Sequence, residues 1–183
     1  LPVMFTLFQG MPKSDKMELI IQKAVELGVA RVVPVETARA VVKLDGRKAH
    51  AKTERWRKIS EAAAKQSKRA FVPEVTLPMT MEEAVRMAGK LDISAIPYEL
   101  AKGMDTMREF VEKVKGLANR SKDGDLLVPT AGIFIGPEGG FTEEEVTLAA
   151  EAGIVPVSLG RRILRTETAG MAVLSILMYE TEI

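Results

Sequence analysis

The stretch VMFTLFQGMPKSDKMELIIQKAVELGVARVVPV, residues 3–35, decides the fold. Val3 to Phe8 is a short apolar run of strand type. Ser14-Asp15-Lys16-Met17-Glu18 then opens a helix, with Asp15 and Glu18 spaced as a capping box. Met17, Ile20, Ile21, Ala24 and Val25 recur at i, i+3, i+4, i+7 and i+8, a single apolar stripe along that helix. Gly28 follows as its C-terminal cap, and Arg31 to Val35 is a second strand. A strand, a helix and a strand within about 35 residues make a parallel sheet the default arrangement.

The alternation continues. His50 to Arg69 is expected to be helical, with Trp56, Ile59, Ala63 and Ala64 on its buried side and seven Lys and Arg residues around the rest. Phe71 to Val75 reads as a strand, Met81 to Ala88 as a short helix, and Ile93 to Pro97 as a strand. Met104 to Ala118 is an amphipathic helix, and Asn119 to Asp125 a polar linker. Strand (Gly132–Gly136), helix (Thr142–Ala152), strand (Val155–Leu159) and helix (Thr166–Tyr179) complete the order. The expected fold class is therefore α/β: an open, mostly parallel sheet with helices on both faces. Ligands in such folds bind outside the carboxyl ends of the strands. Three loops fall there: Pro97-Tyr98-Glu99, Gly136 to Gly140, and Gly160-Arg161-Arg162.

Length and composition bound the rest. The chain has 183 residues, 46% of them hydrophobic, which suits one domain over residues 1–183 with a substantial core. It has no cysteine, which excludes disulfides, thiolate zinc sites and iron–sulfur clusters. Its single histidine, His50, lies in the polar run KAHAKTER and reads as a solvated helix residue. A Ser-His-Asp triad or a multi-histidine metal site is disfavoured. The start of the chain lacks the marks of a signal peptide. The longest apolar stretch, Met171 to Met178, is too short to span a bilayer, so a soluble, cytoplasmic protein without membrane partners is expected. The charge is uneven: residues 1–70 hold 15 Lys and Arg against 7 Asp and Glu, residues 71–183 hold 11 against 18. A basic half suggests a polyanionic partner such as nucleic acid; a solvated basic helix would look the same.

Two motifs carry chemistry. In Ile133-Phe-Ile-Gly136-Pro-Glu138-Gly139-Gly140-Phe141 an apolar strand runs into a glycine-rich loop, and Thr142 and Glu145 form the capping box of the next helix. Glycines let the backbone approach a ligand closely. The motif is neither G-x-G-x-x-G nor a P-loop, and its acidic residues would repel a phosphate, so a neutral or cationic ligand fits better. A tight strand-to-helix turn is the plainer alternative. The second motif, Ser158-Leu-Gly-Arg-Arg-Ile-Leu-Arg-Thr-Glu-Thr-Ala169, leads into a helix apolar on nearly every face. Such a helix is buried on more than one side, either at the centre of the core or between two subunits.

With these motifs the chain resembles the bacterial 16S ribosomal RNA uridine-N3 methyltransferases of the SPOUT superfamily. IGPEGGF followed by LGRRILRTETA matches the family's paired loops. Lys16-Met17-Glu18 and Lys23 to Val29 look like its K-x-E-x-I-x-Q-K-x-x-E-L-G-V helix, and Glu61 to Arg69 like its E-A-x-x-Q-S-x-R segment. The resemblance implies methyl transfer from S-adenosylmethionine to N3 of a uridine in the 16S ribosomal RNA of the small subunit, without a metal. It implies a C-terminal trefoil knot over about residues 130–183, a homodimer, and a small N-terminal PUA-like β-barrel domain that this chain lacks. Alternatives are another SPOUT specificity, such as ribose 2′-O methylation, or a non-catalytic RNA-binding or ribosome-assembly module.

By the same resemblance the adenine would lie against Leu159, Ile163 and Leu164, with backbone groups near Ile135, Gly136 and Gly160 reading its edge. Tyr98 and Glu99 would line the other side, and Glu138, Gly139, Gly140 and Arg165 would complete the cofactor site. Uridine N3 must lose a proton before it attacks. Glu138 is the candidate acceptor, or else a structural acceptor in the loop. Arg165 is the candidate cation for the uracil anion or a phosphate, or else an ion-pair partner of Glu167. Thr168 either meets the substrate or caps the last helix. Lys13, Lys16, Gln66, Ser67, Lys68 and Arg69 are the candidate RNA contacts.

Overall fold

The computed structural model describes residues 1–40, 43–98, 105–122 and 127–182. Its elements are β1 (Met4–Gly10), α1 (Lys16–Glu26), β2 (Arg31–Glu36), α2 (Gly46–Gln66), β3 (Glu74–Val75), β4 (Met79–Thr80) and α3 (Met81–Ala88). There follow β5 (Ile93–Pro97), α4 (Asp105–Lys122), β6 (Thr130–Ile135), α5 (Glu143–Glu151), β7 (Val155–Val157) and α6 (Thr166–Glu182).

The strands form one sheet in the order β3-β2-β1-β6-β5-β7, with β4 also on β2, and every pairing is parallel. Side chains alternate across the sheet as the pleat requires. Phe5, Leu7, Val32, Ile133 and Ile135 face the core shared with α1, α2, α4 and α6. Phe8, Val33, Val35 and Phe134 face the core under α3 and α5. There Phe8 stacks on Phe134 with centroids 4.5 Å apart, and Phe134 meets Phe141 edge-on. Each large side chain buried this way contributes about 1.5–3 kcal/mol.

Several elements depart from the expected bounds. Of Phe71–Val75 only Glu74 and Val75 pair with β2; Phe71 and Val72 are about half exposed. β4 was not anticipated, because two residues hold no periodicity to read. α2 begins at Gly46, with the Asp45 carboxylate accepting the Lys48 N–H, and stops at Gln66, leaving Lys68 in the left-handed region. α4 continues through Asn119 to Lys122, where a polar linker was expected; polar residues at helical spacing do not by themselves end a helix. β7 ends at Val157. The capping box expected at Asp15 is absent: Asp15 makes no side-chain cap, and Glu18 pairs instead with Arg55 at 2.6 Å. The box at Thr142–Glu145 is present on both sides.

α6 packs against α1, α4 and β6. It buries Ala169, Gly170, Val173, Leu174 and Leu177, while Ile176 and Tyr179 stay exposed. No helix among the described residues is long and apolar enough to cross a membrane.

Candidate active site

Strand register sets the site. Gln9 on β1 lies opposite Ile135 on β6, and Pro97 on β5 lies opposite Val157 on β7. The carboxyl ends of these four strands are thus level, and the segments after them leave one edge of the sheet. These segments are residues 11–15, Tyr98, 136–142 and 158–165. The connection after β1 runs to β2 on one side, and the connection after its other neighbour, β6, runs towards β7 on the opposite side; a crevice for a ligand is expected where connections diverge in this way.

The glycine loop is pressed against its neighbours. A Cβ on Gly10 would stand 2.6 Å from Pro137 Cδ and 2.8 Å from Pro137 N, so only a glycine lets the end of β1 pass this loop. Gly140 adopts φ +68° and is open where a side chain would project. Arg39, from the segment after β2, donates to Gly139 O at 2.9 Å and to Phe141 O at 3.3 Å. The buried Glu145 carboxylate accepts the Ala38 N–H at 2.7 Å as well as capping α5.

Glu138 is clamped. Its carboxylate accepts the Lys13 N–H at 3.1 Å and Lys16 Nζ at 3.1 Å. Lys16 also lies 3.6 Å from Glu167 at the start of α6. Burial pulls the Glu138 carboxyl upward. Hydrogen bonds from its own backbone N–H, from Lys16 and from the Lys13 N–H outweigh that, and hold it below the ordinary glutamate value.

Behind these charges lies a buried polar chain. Gln9, fully buried, donates from Nε2 to Gly10 O at 3.0 Å and to Thr166 Oγ1 at 2.8 Å. Thr166, also buried, donates its hydroxyl to Gly136 O at 2.7 Å. The end of the second loop is thereby bonded to the start of the first. Sequence reasoning assigned no role to Gln9, Thr166 or Arg39. The one local signal was a glutamine at the end of the mostly apolar strand MFTLFQG.

The second loop holds Gly160 at φ +108°, and Ser158 N–H donates to Thr106 Oγ1 of α4 at 3.2 Å. Leu159 and Leu164 are half-buried against the core, whereas Ile163 is 91% exposed. Arg165 and Thr168 are exposed at the start of α6; among the described residues Arg165 has no ion pair, and Glu167 pairs with Lys16 rather than with it. Tyr98 is half-buried, its N–H donating to Val157 O at 3.0 Å. Glu99 lies outside the described residues.

The expected RNA residues separate. Lys13, Gln66 and Lys68 are exposed. Lys16 is held between two carboxylates. Ser67 donates its hydroxyl to Ala63 O at 2.7 Å. Arg69 donates to the carbonyls of Val25, Gly28 and Val29, closing the C-terminus of α1, and lies 4.7 Å over the Phe71 ring. A cleft of about 250 Å³ opens beside the loops rather than between them, lined by Met11, Pro12, Ser14, Asp15, Glu18, Lys52, Arg55 and Trp56 among others.

Comparison with known proteins agrees with this architecture. Residues 1–178 match the family model of the RNA methyltransferase domain. The chain is 41% identical over its full length to ribosomal RNA small subunit methyltransferase E of Bacillus subtilis, spanning 68% of that protein. It is 35% identical over 170 residues to the protein of the same name from Synechocystis, spanning 51% of it. The crystal structure of the Neisseria gonorrhoeae ribosomal RNA small subunit methyltransferase E bound to S-adenosyl methionine superposes with a TM-score of 0.76 at 31% identity, covering 97% of this chain and 66% of that one. The chain therefore belongs to the RNA methyltransferase domain family, among the small-subunit ribosomal RNA methyltransferases E.

Proposed function

We propose that this chain is the catalytic domain of an enzyme that methylates N3 of a uridine in 16S ribosomal RNA, with S-adenosylmethionine as donor. The observation that carries the reading is the Thr166 hydroxyl on the Gly136 carbonyl, 2.7 Å, which joins the two motifs into one site at the carboxyl edge of the sheet. The residues fit this cofactor. Gly140 leaves the loop open to a close-lying group, Leu159 and Leu164 offer half-buried apolar surface for a ring, and residues 136–142 contain no Lys or Arg for a phosphate. Bound there, S-adenosylmethionine supplies a methyl group on a cationic sulfur.

The protein's own part is positioning and charge. A carboxylate held below its ordinary value is a weak proton acceptor. Glu138, clamped by Lys13 and Lys16, fits better as the anchor of its loop. Arg165, exposed at the loop end and free of ion pairs among the described residues, fits as the cation that stabilises the uracil anion. Thr168, exposed in the first turn of α6, is open to solvent where a substrate hydrogen bond can form.

RNA is proposed to lie along the basic flank. α2 carries seven Lys and Arg against two Glu. Arg47, Lys52 and Lys58 have no acidic partner among the described residues, and with Lys13, Gln66 and Lys68 they offer contacts to a phosphate backbone. The exposed Ile163, Ile176 and Tyr179 support burial against a second copy, hence a homodimer. A trefoil knot through residues 130–183 and a cytoplasmic location belong to the same proposal.

Calorimetry tests the pocket. S-adenosylmethionine should bind the wild-type chain and fail to bind Gly139→Val, whose Cβ meets Arg39 Cβ at 3.0 Å, and Leu159→Arg. Undiminished binding in both variants would refute the site.

A further inference from the structure

We infer that Gln9 is a positioning residue for the cofactor: its side-chain amide sets the geometry of both loops at once. The inference rests on the pocket proposed above. The strand position itself favours an apolar group. Leu7, two residues earlier, is fully buried, and Gln9 is as buried as any core residue. Yet Gln9 Oε1 is buried without a hydrogen-bond partner among the described residues. A leucine or methionine there would fill the space without leaving an acceptor unpaired. What the amide adds is its two donated bonds.

Their direction is fixed by the partners. Gly10 O can only accept, so the group facing it is the NH₂ and not the amide oxygen. Thr166 has one hydroxyl proton, and Gly136 O, which can only accept, takes it. The Thr166 oxygen is left to accept from Gln9. The chain Gln9 to Thr166 to Gly136 therefore has a single direction. It links β1, the first turn of α6 and the first residue of the glycine loop. A Cβ on Gly170 would lie 3.9 Å from Gln9 Oε1, so α6 is packed on the same side chain. Removal of the amide frees the Thr166 hydroxyl to turn, and Gly136 O loses its fixed donor. The edge presented to an adenine then loses its set position, while the chemistry at the methyl group is untouched.

The test uses Gln9→Met and Thr166→Val, which keep volume and remove the bonds, and Thr166→Ser, which keeps them. Cofactor affinity by calorimetry, steady-state kinetics on small ribosomal subunits, and hydrogen exchange of the cofactor-free protein are measured together. Gln9→Met and Thr166→Val should each weaken S-adenosylmethionine about tenfold, the size of one lost neutral hydrogen bond. They should raise KM for the cofactor with kcat nearly unchanged, and speed exchange at residues 136–141 and 166–170. Thr166→Ser should restore wild-type affinity. Lowered thermal stability with unchanged cofactor affinity would overturn the inference and leave the pocket in place. A wild-type chain that binds no cofactor would remove both.

Discussion

Lys16 Nζ lies 3.1 Å from Glu138 Oε1 and 3.6 Å from Glu167 Oε2, so one lysine at the start of α1 holds both the glycine loop and the head of α6. The three side chains come from segments far apart in sequence. All are less than about a third exposed, so the pairs are screened less than surface salt bridges.

A carboxylate whose folded-state value is lowered contributes stability above its unfolded value and loses it as the pH falls through the folded one. Glu138 is of this kind. Lys16→Met should therefore lower the unfolding midpoint most at neutral pH. The difference from wild type should shrink as the pH drops below the ordinary glutamate range. Thermal unfolding followed by circular dichroism from pH 7 to pH 3.5 checks it; a difference constant with pH contradicts it.

Gly10→Ala places a methyl group against the ring and backbone of Pro137. Backbone cannot yield as a flexible side chain does, and overpacking of this kind costs about 1–3 kcal/mol. The variant should unfold at lower denaturant and bind S-adenosylmethionine more weakly, because the displaced residue opens the cofactor loop. Unchanged stability would mean that β1 and this loop do not approach as described.

Arg69→Ala should destabilise the chain by about 1–3 kcal/mol, since the carbonyls of Val25 in α1 and of Gly28 and Val29 just after it lose the bonds from the guanidinium. Lys68→Ala should leave stability unchanged and weaken RNA binding with a shallower salt dependence. Denaturant melts and filter binding at two salt concentrations separate the two; an RNA defect in a fully stable Arg69→Ala protein would reverse the assignment.

Arg165→Ala should keep S-adenosylmethionine affinity and lose methyl transfer by about 10²–10³-fold, the usual effect of removing a donor that stabilises developing negative charge. Normal turnover would refute that role.

Much of this was legible in the chain. The stripe Met17, Ile20, Ile21, Ala24, Val25 gave α1, and all five are buried. IFIGPEGGFTEEE gave strand, loop and capped helix in the right places, because each feature depends on neighbours a few residues away. Bonds between distant segments left no such mark. Gln9 and Thr166 are 157 positions apart, and nothing in either segment points to the other. The bonds from Arg69 to Val25 of α1 and to Gly28 and Val29 after it, 40 to 44 positions upstream, left no mark in the sequence for the same reason. The bounds of β3 and β4 depend on where β2 runs out of partners, which their own two residues cannot announce.

The methylated product tests the proposed activity most directly. Small ribosomal subunits from cells lacking this activity would be incubated with the protein and S-adenosylmethionine carrying a labelled methyl group, and the RNA digested to nucleosides for mass spectrometry. Label is expected in 3-methyluridine, at one position of the 16S RNA. Label in a 2′-O-methylated nucleoside, or none in RNA at all, would contradict it.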